Sequence, residues 1–263
     1  MIDLHCHILP GVDDGPATME DAVALARAHV EAGTSTVVAT SHVSWDYQDN
    51  GPANLLPAVE ALRARLAEED VPLEVLPGAE IAMTRVDALD NGDLAALKLG
   101  GSAWLLIECP FSPSAAAFAP VLDVLQARGH RIVLAHPERC PAFHREPERL
   151  SAYVSQGMLT SLTAGAFVGS FGREVEKVAR EFLAEGLVHS VASDAHDLRR
   201  RPPGIREHLL AAGLDPALTE WLGRDVPAAI LGGDRIPMAP VTFPKPSRGG
   251  VLGRLRARTG SGR

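Results

Sequence analysis

The sequence predicts an α/β protein in which parallel strands and helices alternate to form a barrel. Short β-rich runs alternate with longer amphipathic segments along most of the chain, which is the pattern of β/α units. The runs are apolar with little alternation, as expected for parallel strands that are buried on both faces. An open doubly wound sheet is the alternative, but the first run leads into HCHILPGVDDGP without a GxGxxG motif, and the chain has no Walker motif. A seven-stranded barrel is therefore preferred.

The predicted strands are runs rich in aliphatic and β-branched residues, such as TVVAT and AWLLIE. They cover residues 2–5, 36–40, 73–77, 103–108, 131–135, 159–163 and 188–193. Helices are predicted at 18–32, 53–69, 115–128, 146–156 and 173–185, followed by two more at 204–213 and 216–231. Thr18 is a suitable N-cap for the first helix, and Gly33 follows its last turn. The predicted barrel domain covers 1–239, and the Pro-, Gly- and Arg-rich basic tail at 240–263 is predicted to be disordered.

Composition and charge exclude several classes of protein. The 263 residues carry a formal net charge of −8, but residues 241–263 hold six basic side chains and no acid, so the first 240 residues hold 19 basic against 33 acidic side chains. Such an acidic body is a poor nucleic-acid binder and suits a protein that concentrates divalent cations. The three cysteines form neither a disulfide framework nor a CxxC zinc pattern. Without a signal peptide or a long apolar run, we expect a soluble, cytoplasmic protein with no integral membrane segment.

Side chains that bind metals recur at the predicted strand ends. The residues at or just after these ends are His5, His7, His42, Glu80, Glu108, His136, Asp194 and His196. From His42 to Asp194 the successive intervals are 38, 28, 28 and 58 residues, each close to one or two β/α units. Because the C-terminal ends of parallel barrel strands meet at one face, we expect these side chains to converge there. Asp13 and Asp14, in the loop GVDDGP, offer a further carboxylate, and their spacing does not choose between them.

The local contexts of these residues favour a metal centre with several ions. In HCH, strand alternation places His5 and His7 on one side and Cys6 on the other. Glu80 and Glu108 lie in apolar settings, where burial of an unpaired carboxylate is costly and a cation would offset that cost. With one Asp of the pair, the nine donors exceed what one or two catalytic metals need, so we expect three divalent ions with a bridging carboxylate. The His and carboxylate donors suit Mn, Fe, Zn or Co.

Other hydrolytic chemistries lack their motifs in this chain. The position six residues after each cysteine holds Val12, Ala115 or Glu146, so no cysteine phosphatase loop with its arginine is present. The GxSxG and HExxH motifs are also absent. Two basic residues near the candidate ligands fit an anionic substrate, namely Arg139 in HPER and Arg201 in DLRRRPP, because arginine binds phosphate oxygens bidentately. The five other histidines, including His29, are interpreted as structural or surface residues.

At HCHILPGVDDGP, LPGAEI, LIECP, VLAHPER and ASDAH the chain resembles a known family. It is similar to the bacterial manganese-dependent protein-tyrosine phosphatases of the polymerase-and-histidinol-phosphatase (PHP) superfamily, which are associated with capsular and exopolysaccharide synthesis. The resemblance covers about residues 1–236 and implies a distorted seven-stranded β/α barrel with a trinuclear centre. The chain departs from the family pattern at two places. It reads TSHV where family members usually read TPHH, so Ser41 replaces Pro and Val43 replaces a second His, and it has Thr163 where the family often has Asn.

The resemblance also implies a role for each matched residue. His5, His7 and Asp194 would hold one metal, Glu80 would bridge it to a second that Glu108 and His136 complete, and Asp14, His42 and His196 would hold a third. It selects Asp14 over Asp13, and it places Arg139 and Arg201 on the substrate phosphate. The implied activity is hydrolysis of phosphotyrosine on a bacterial tyrosine kinase of polysaccharide synthesis, by a metal-bridged hydroxide. The alternatives are a small-molecule phosphatase, such as one for histidinol phosphate, and a non-catalytic metal-binding barrel.

Overall fold

The structure, a computed structural model, describes residues 1–111, 117–240 and 243. Nine strands are present among them. They are β1 (Ile2–Cys6), β2 (Thr36–Ala39), β3 (His42–Val43), β4 (Glu74–Pro77), β5 (Glu80–Ala82), β6 (Trp104–Glu108), β7 (Arg131–Ala135), β8 (Leu159–Thr163) and β9 (Ser190–Ala192). Each of the seven predicted strands coincides with one of these, and the two additional strands are the short β3 and β5.

The strands are parallel and form two sheets. The first sheet has the order β1-β2-β4, and the second has the order β3-β5-β6-β7-β8-β9. The predicted α/β architecture with parallel strands is therefore confirmed, whereas the hydrogen-bonded ladders of the described residues form no single closed barrel. The ladder is interrupted at two places. Strand β2 ends before Thr40–Ser41 and strand β4 ends before Gly78–Ala79, and after these two-residue breaks the chain pairs again as β3 and β5 in the second sheet.

The two sheets meet at the ends of β1 and β9. The amide of Asp194 donates to the His5 carbonyl over 2.8 Å, and the amide of His7 donates to the Ala195 carbonyl over 2.9 Å. A single parallel bridge joins Cys6 to Ala195. These contacts bring the first and last strands of the fold together at the edge where most of the candidate ligands lie.

Ten helices cover the strands among the described residues. They are α1 (Met19–Glu31), α2 (Pro52–Glu68), α3 (Asn91–Ala96), α4 (Phe118–Ala127), α5 (Pro141–Arg145), α6 (Pro147–Ser155), α7 (Arg173–Ala184), α8 (Ile205–Ala211), α9 (Pro216–Glu220) and α10 (Val226–Gly232). Short 3₁₀ turns occur at Met83–Ala88, Leu99–Gly101, Pro137–Arg139 and Ala164–Val168, and a π-helical turn at Trp221–Asp225 joins α9 to α10. None of the helices in the described ranges is long and apolar enough to cross a bilayer.

Helix α1 begins as the sequence predicts, because the Thr18 hydroxyl oxygen accepts the Asp21 amide at its N-cap. The predicted helix at 146–156 is preceded by α5, which Pro147 separates from α6. Helix α3 was not predicted. Residues 115 and 116 of the predicted helix at 115–128 lie outside the described residues.

The strands have buried residues on both faces, as their apolar composition predicts. Every residue of β8 is buried, and so are Trp104 to Ile107 of β6. The predicted tail at 240–263 lies outside the described residues except for Pro240 and Phe243, so its disorder stays a prediction. The Phe243 ring packs 6.1 Å from the Trp221 ring, so the chain still contacts the fold just past residue 239.

Candidate metal centre

The structure brings all nine predicted ligand residues into one cluster. Their donor atoms form four overlapping groups, and within each group these atoms lie within 4.8 Å of one another. The groups are His7, Asp14, His42 and His196; His5, His7 and Glu80; His5, His136 and Asp194; and His42, Glu80 and Glu108. Because His5, His7, His42 and Glu80 each belong to two groups, the groups form one continuous centre rather than separate sites.

The end of β1 supplies the two histidines at the middle of the cluster. The pairing register of β1 shifts between Asp3 and Cys6, where the Asp3 carboxylate accepts the His5 amide over 3.2 Å and the Thr40 hydroxyl oxygen accepts the Cys6 amide over 2.9 Å. Such an irregularity re-aims side chains at a strand end. As a result, the Nε2 atoms of His5 and His7 lie 3.1 Å apart, with both side chains buried.

Glu80 lies among four imidazoles. Its Oε2 is 2.9 Å from His42 Nδ1, 3.4 Å from His5 Nε2 and 3.5 Å from His7 Nε2. Its Oε1 is 2.7 Å from His136 Nε2. The sequence places His42 and Glu80 after predicted strands, but both lie in strands, and they face each other in the register of β3 with β5. That pairing holds the carboxylate at the position where the histidines converge.

His136 and Asp194 follow β7 and β9 in left-handed backbone conformations, with φ of 35° and 53°. A non-glycine residue in this region is strained, and such strain is concentrated at functional sites. The His136 conformation is further disfavoured because Pro137 follows it. These turns direct both side chains into the same group as His5.

The GVDDGP loop contributes both aspartates in different ways. Asp14 Oδ1 lies 3.3 Å from His196 Nε2 and 3.6 Å from His42 Nε2, which is a ligand-like position. Asp13 lies behind His7, where its Oδ2 is 2.9 Å from His7 Nδ1 and accepts the His42 amide. A Cβ atom at Gly15 would lie only 2.4 Å from the His7 carbonyl oxygen, so only glycine allows this loop to approach β1.

The two predicted arginines meet at one carboxylate oxygen. Arg139 Nη1 donates to Asp194 Oδ2 over 2.5 Å, and Arg201 Nη2 donates to the same oxygen. Arg201 Nη1 also lies 2.9 Å from His196 Nε2. Both guanidinium groups therefore lie at the border of the cluster, where they can reach an anion bound there.

The electrostatics of the cluster favour bound positive charge. Burial would lower the pKa of His7, but the hydrogen bond to Asp13 and the negative charges of Asp13 and Glu80 outweigh it and raise this pKa to about 10. Burial would raise the pKa of Glu80, but the charges of His5 and His136 hold it well below its usual range. Burial and the charge of Glu80 raise the pKa of Glu108 to about 7. His7 and Glu80 thus favour positive charge, whereas burial and the charge of Arg139 lower the pKa of His136 to about 4.

The donor set fits divalent metal ions. The buried Glu80 Oε2 has no hydrogen-bond donor among the described residues, although three imidazole nitrogens lie within 3.5 Å of it. Imidazole nitrogens and carboxylate oxygens are the donors that Mn, Fe, Zn and Co accept, and a cation between them would offset the charge of the buried carboxylates. The Asp13 carboxylate would then fix the ring orientation of His7, as partners of metal-bound histidines do.

Several residues of this region were missed by sequence reasoning. The spacing in the sequence does not distinguish Asp13 from Asp14, and in the structure both contact histidines of the cluster. The rings of Tyr47, Phe111 and Phe171 border the cluster, although no regular spacing marks them. Glu138 of HPER is fully buried, and its Oε1 accepts the Thr163 amide over 2.9 Å, so it supports the turn that carries His136 and Arg139.

Comparison with known proteins shows the family to which the chain is related. The family model for capsular polysaccharide synthesis proteins CpsB/CapC matches residues 1–213. The tyrosine-protein phosphatase YwqE of Bacillus subtilis is 37% identical over 201 residues, covering 76% of this chain and 79% of the relative. The tyrosine-protein phosphatase CpsB of Streptococcus pneumoniae is 32% identical over 213 residues, covering 79% of this chain and 87% of the relative.

A solved structure supports the same relationship. It comes from the crystal structures of YwqE from Bacillus subtilis and CpsB from Streptococcus pneumoniae, which are described as metal-dependent tyrosine phosphatases. Its TM-score is 0.80 at 31% identity, and the match covers 94% of this chain and 99% of that chain. With the family model matching residues 1–213 and relatives above 30% identity over most of its length, the chain belongs to the CpsB/CapC family of capsular polysaccharide synthesis.

Proposed function

We propose that the protein is a metal-dependent phosphatase that hydrolyses phosphotyrosine in a protein substrate. The proposal is carried by one observation, the continuous cluster of imidazoles and carboxylates with two arginines at its border. Such a cluster can bind both metal ions and the phosphoryl group of a substrate. Relatives of the chain are named tyrosine-protein phosphatases, which supports the substrate class.

We propose that three divalent ions occupy the centre, with manganese as the first choice and Fe, Zn or Co as alternatives. The ligands would be His5, His7 and Asp194 for one ion, Glu80 as a bridge to a second ion with Glu108 and His136, and Asp14, His42 and His196 for the third. The overlap of the four donor groups supports ions that share ligands. When bound, such ions generate a nucleophile from water near neutral pH and polarise phosphoryl oxygens.

The side chains of the protein then act on the phosphate ester. Arg139 and Arg201 bind phosphoryl oxygens and stabilise the negative charge that develops on them as the ester bond breaks. Both guanidinium groups are held near one position by Asp194, which reduces the entropy lost when they bind. The leaving phenolate has a conjugate acid with a pKa of about 10, so it needs less protonation than an alkoxide does.

We further propose that the two sheets are parts of one distorted seven-stranded barrel of the PHP type. In this interpretation β2 with β3, and β4 with β5, are two interrupted strands, and the hydrogen bonds between β1 and the segment after β9 close the ring. Residues 1–239 would form this barrel domain, and residues 240–263 would form a separate basic tail.

The proposed partner is a bacterial tyrosine kinase of polysaccharide synthesis, whose phosphorylated tyrosines would be the substrate. The family description, capsular polysaccharide synthesis, supports this partner class. We propose that the reaction takes place in the cytoplasm, where a kinase has access to ATP. Nucleic acid is not a proposed partner, because the first 240 residues are strongly acidic.

The test uses the full chain, stripped with EDTA and then reloaded with manganese. We expect it to hydrolyse a phosphotyrosyl peptide faster than a phosphoseryl peptide or histidinol phosphate, with activity lost on stripping and restored by the metal. A preference for histidinol phosphate would favour the small-molecule phosphatase. If the reloaded protein binds metal and cleaves no aryl phosphate, the non-catalytic metal-binding barrel is the better description. Elemental analysis of the loaded protein should give three ions per chain.

A further inference from the structure

Two aromatic rings stack on imidazoles of the metal cluster from two different loops. The Phe111 ring lies 5.5 Å from the His136 ring at an interplanar angle of 19°, and the Tyr47 ring lies 5.7 Å from the His42 ring at 2°. His136 and His42 contact the two different oxygens of Glu80. Phe111 and Tyr47 therefore flank the centre on the sides of these two histidines.

Phe111 also contacts the arginine that is proposed to bind the phosphate. The Arg139 guanidinium lies 5.1 Å from the centroid of the Phe111 ring and 4.8 Å from that of Phe171. Even so, 49% of the Phe111 side chain remains exposed. The ring contacts both His136 and Arg139, so its exposed part is available to an apolar group of a ligand that is bound beside them.

The loop that carries Tyr47 is fixed at both ends. The Asn50 side-chain amide donates to the His42 carbonyl over 2.7 Å and to the Val12 carbonyl over 3.0 Å. Trp45 donates from its indole nitrogen to the Thr84 carbonyl over 3.2 Å. Tyr47 lies between these anchors, so its position against His42 is held in place before any ligand arrives.

We propose that Phe111 and Tyr47 form a binding subsite for the aromatic ring of an aryl phosphate. The inference rests on the proposed phosphatase function and assigns the residues that recognise the leaving group. The substrate ring would contact the exposed surfaces of Phe111 and Tyr47 while its phosphate is bound by Arg139 and Arg201. Aromatic pairs prefer stacked or edge-to-face contacts of this kind and add affinity beyond simple burial. An aliphatic phosphate ester cannot make these contacts, so the subsite favours phosphotyrosine at the binding step.

The test compares two stable inhibitors, phenylphosphonate and methylphosphonate, on the manganese-loaded full chain. Both present the same phosphonate group and differ in the ring, so the ratio of their inhibition constants isolates the contribution of the subsite. We expect phenylphosphonate to bind more tightly to the parent protein. The double variant Phe111→Leu, Tyr47→Leu should reduce the ratio by roughly three- to tenfold, the value of lost aromatic contacts. The methylphosphonate constant should change only as far as loss of the Phe111 contact with Arg139 affects binding of the phosphonate group, as in Phe171→Leu below.

Two further variants separate ring recognition from other effects. Leu210→Ala removes an exposed apolar side chain of α8, which takes no part in the proposed subsite, and should leave the ratio unchanged. Phe171→Leu removes a ring that contacts Arg139, and should weaken both inhibitors together. If the double variant has the same ratio of inhibition constants as the parent, the proposed ring subsite is wrong, and the proposed phosphatase function is unaffected. If the manganese-loaded parent does not hydrolyse an aryl phosphate at all, the proposed function itself is refuted.

Discussion

Two buried groups of ionisable side chains adjoin strand β1, and they contain similar residue types in different electrostatic surroundings. The metal cluster includes His7, which lies beside the carboxylates of Asp13 and Glu80. In the second group, Cys6 Sγ lies 3.1 Å from His29 Nε2. His29 Nδ1 lies 3.8 Å from Asp3 Oδ2, which is beyond hydrogen-bond distance. All three side chains of the second group are fully buried.

The pKa values show how the two groups differ. Burial lowers the pKa of His29 to about 3, with no carboxylate close enough to reverse it, whereas carboxylates raise the pKa of His7 to about 10. Burial also raises the pKa of the Cys6 thiol. Asp3 is engaged elsewhere, because its Oδ1 accepts the amides of His5 and Ser193. The contrast between His7 and His29 therefore comes from the two carboxylates beside His7.

The largest expected effect comes from removing the carboxylate at the centre of the first group. Glu80→Gln keeps the shape of the side chain but loses the charge that faces four imidazoles. We expect loss of bound manganese and a fall in aryl phosphate hydrolysis of at least about 100-fold, since even partners of metal ligands contribute up to that amount. Elemental analysis and initial rates measure both quantities.

The matched control is a buried carboxylate of the second group. Asp3→Asn retains an oxygen that can accept the His5 and Ser193 amides, so metal content and rate should stay close to those of the parent. If Glu80→Gln retains both metal and activity, or if Asp3→Asn loses the metal as Glu80→Gln does, the contrast between the two groups is wrong.

A second effect tests the arginines at the border of the first group. Arg139→Lys keeps the positive charge but loses the planar fork, so binding of inorganic phosphate as an inhibitor should weaken about 10- to 100-fold, as expected for a lost charged hydrogen bond. Arg199→Lys is the control, because Arg199 is exposed and its amide, rather than its side chain, is bonded to Asp197. Equal inhibition constants for the parent and Arg139→Lys would show that the Arg139 side chain does not bind the phosphate.

A third effect concerns the carboxylate behind His7. Asp13 accepts hydrogen bonds at both oxygens, whereas Asp13→Asn has only one accepting oxygen and presents an NH₂ group to the His42 amide or the Gly15 amide. We expect manganese affinity to fall roughly tenfold, measured by titration of the stripped protein. An Asp21→Asn variant at the exposed start of α1 should bind manganese as the parent does. Unchanged affinity in Asp13→Asn would show that the orientation of His7 does not depend on this carboxylate.

The smallest effect is a pH dependence of stability that belongs to the second group. The pKa of His29 is lower in the folded protein, about 3, than its usual value of about 6.5, so the unfolded chain takes up a proton that the folded protein excludes. This contribution to stability is complete above pH 6.5 and is lost as the pH falls towards 3. Between pH 6.5 and 5.5 it amounts to about 1 kcal/mol.

The measurement is the difference in pH dependence between the parent and His29→Asn, from urea unfolding of EDTA-treated protein. The pKa of Asp3 is raised to about 6 by burial, so its contribution has the opposite sign and grows as the pH falls through 6. The variant retains that contribution and those of all other titrating groups, so its free energy of unfolding should fall less on acidification than that of the parent. The same pH dependence in both proteins would show that His29 is not neutral in the folded state.

Much of the site can be predicted from the sequence because of one topological property. Parallel strands direct their C-terminal ends to one edge, so residues of ligand type at those ends converge whatever the details of the loops. His136 and Asp194 illustrate this, since 58 residues separate them and their donor atoms lie in one group with His5. The assignment of each residue to a particular metal stays a prediction.

Other features depend on contacts that no local pattern encodes. The interruption of β2 and β4 follows from the path of the chain at Thr40–Ser41 and Gly78–Ala79, which moves His42 and Glu80 into strands of the second sheet. The different roles of Asp13 and Asp14 depend on how the GVDDGP loop folds over His7. The positions of Tyr47 and Phe111 depend on loops whose sequences carry no periodicity.

The sequence by itself determined the α/β class, the positions of the seven main strands and the set of donors available at their ends, because burial and hydrogen bonding restrict where strands form. Only the tertiary structure decided which carboxylates converge on which imidazoles, and hence why His7 attracts a proton while His29 excludes one. The reason is that electrostatic energies depend on distances of a few ångströms, and these distances are fixed by packing between segments that are remote in the chain.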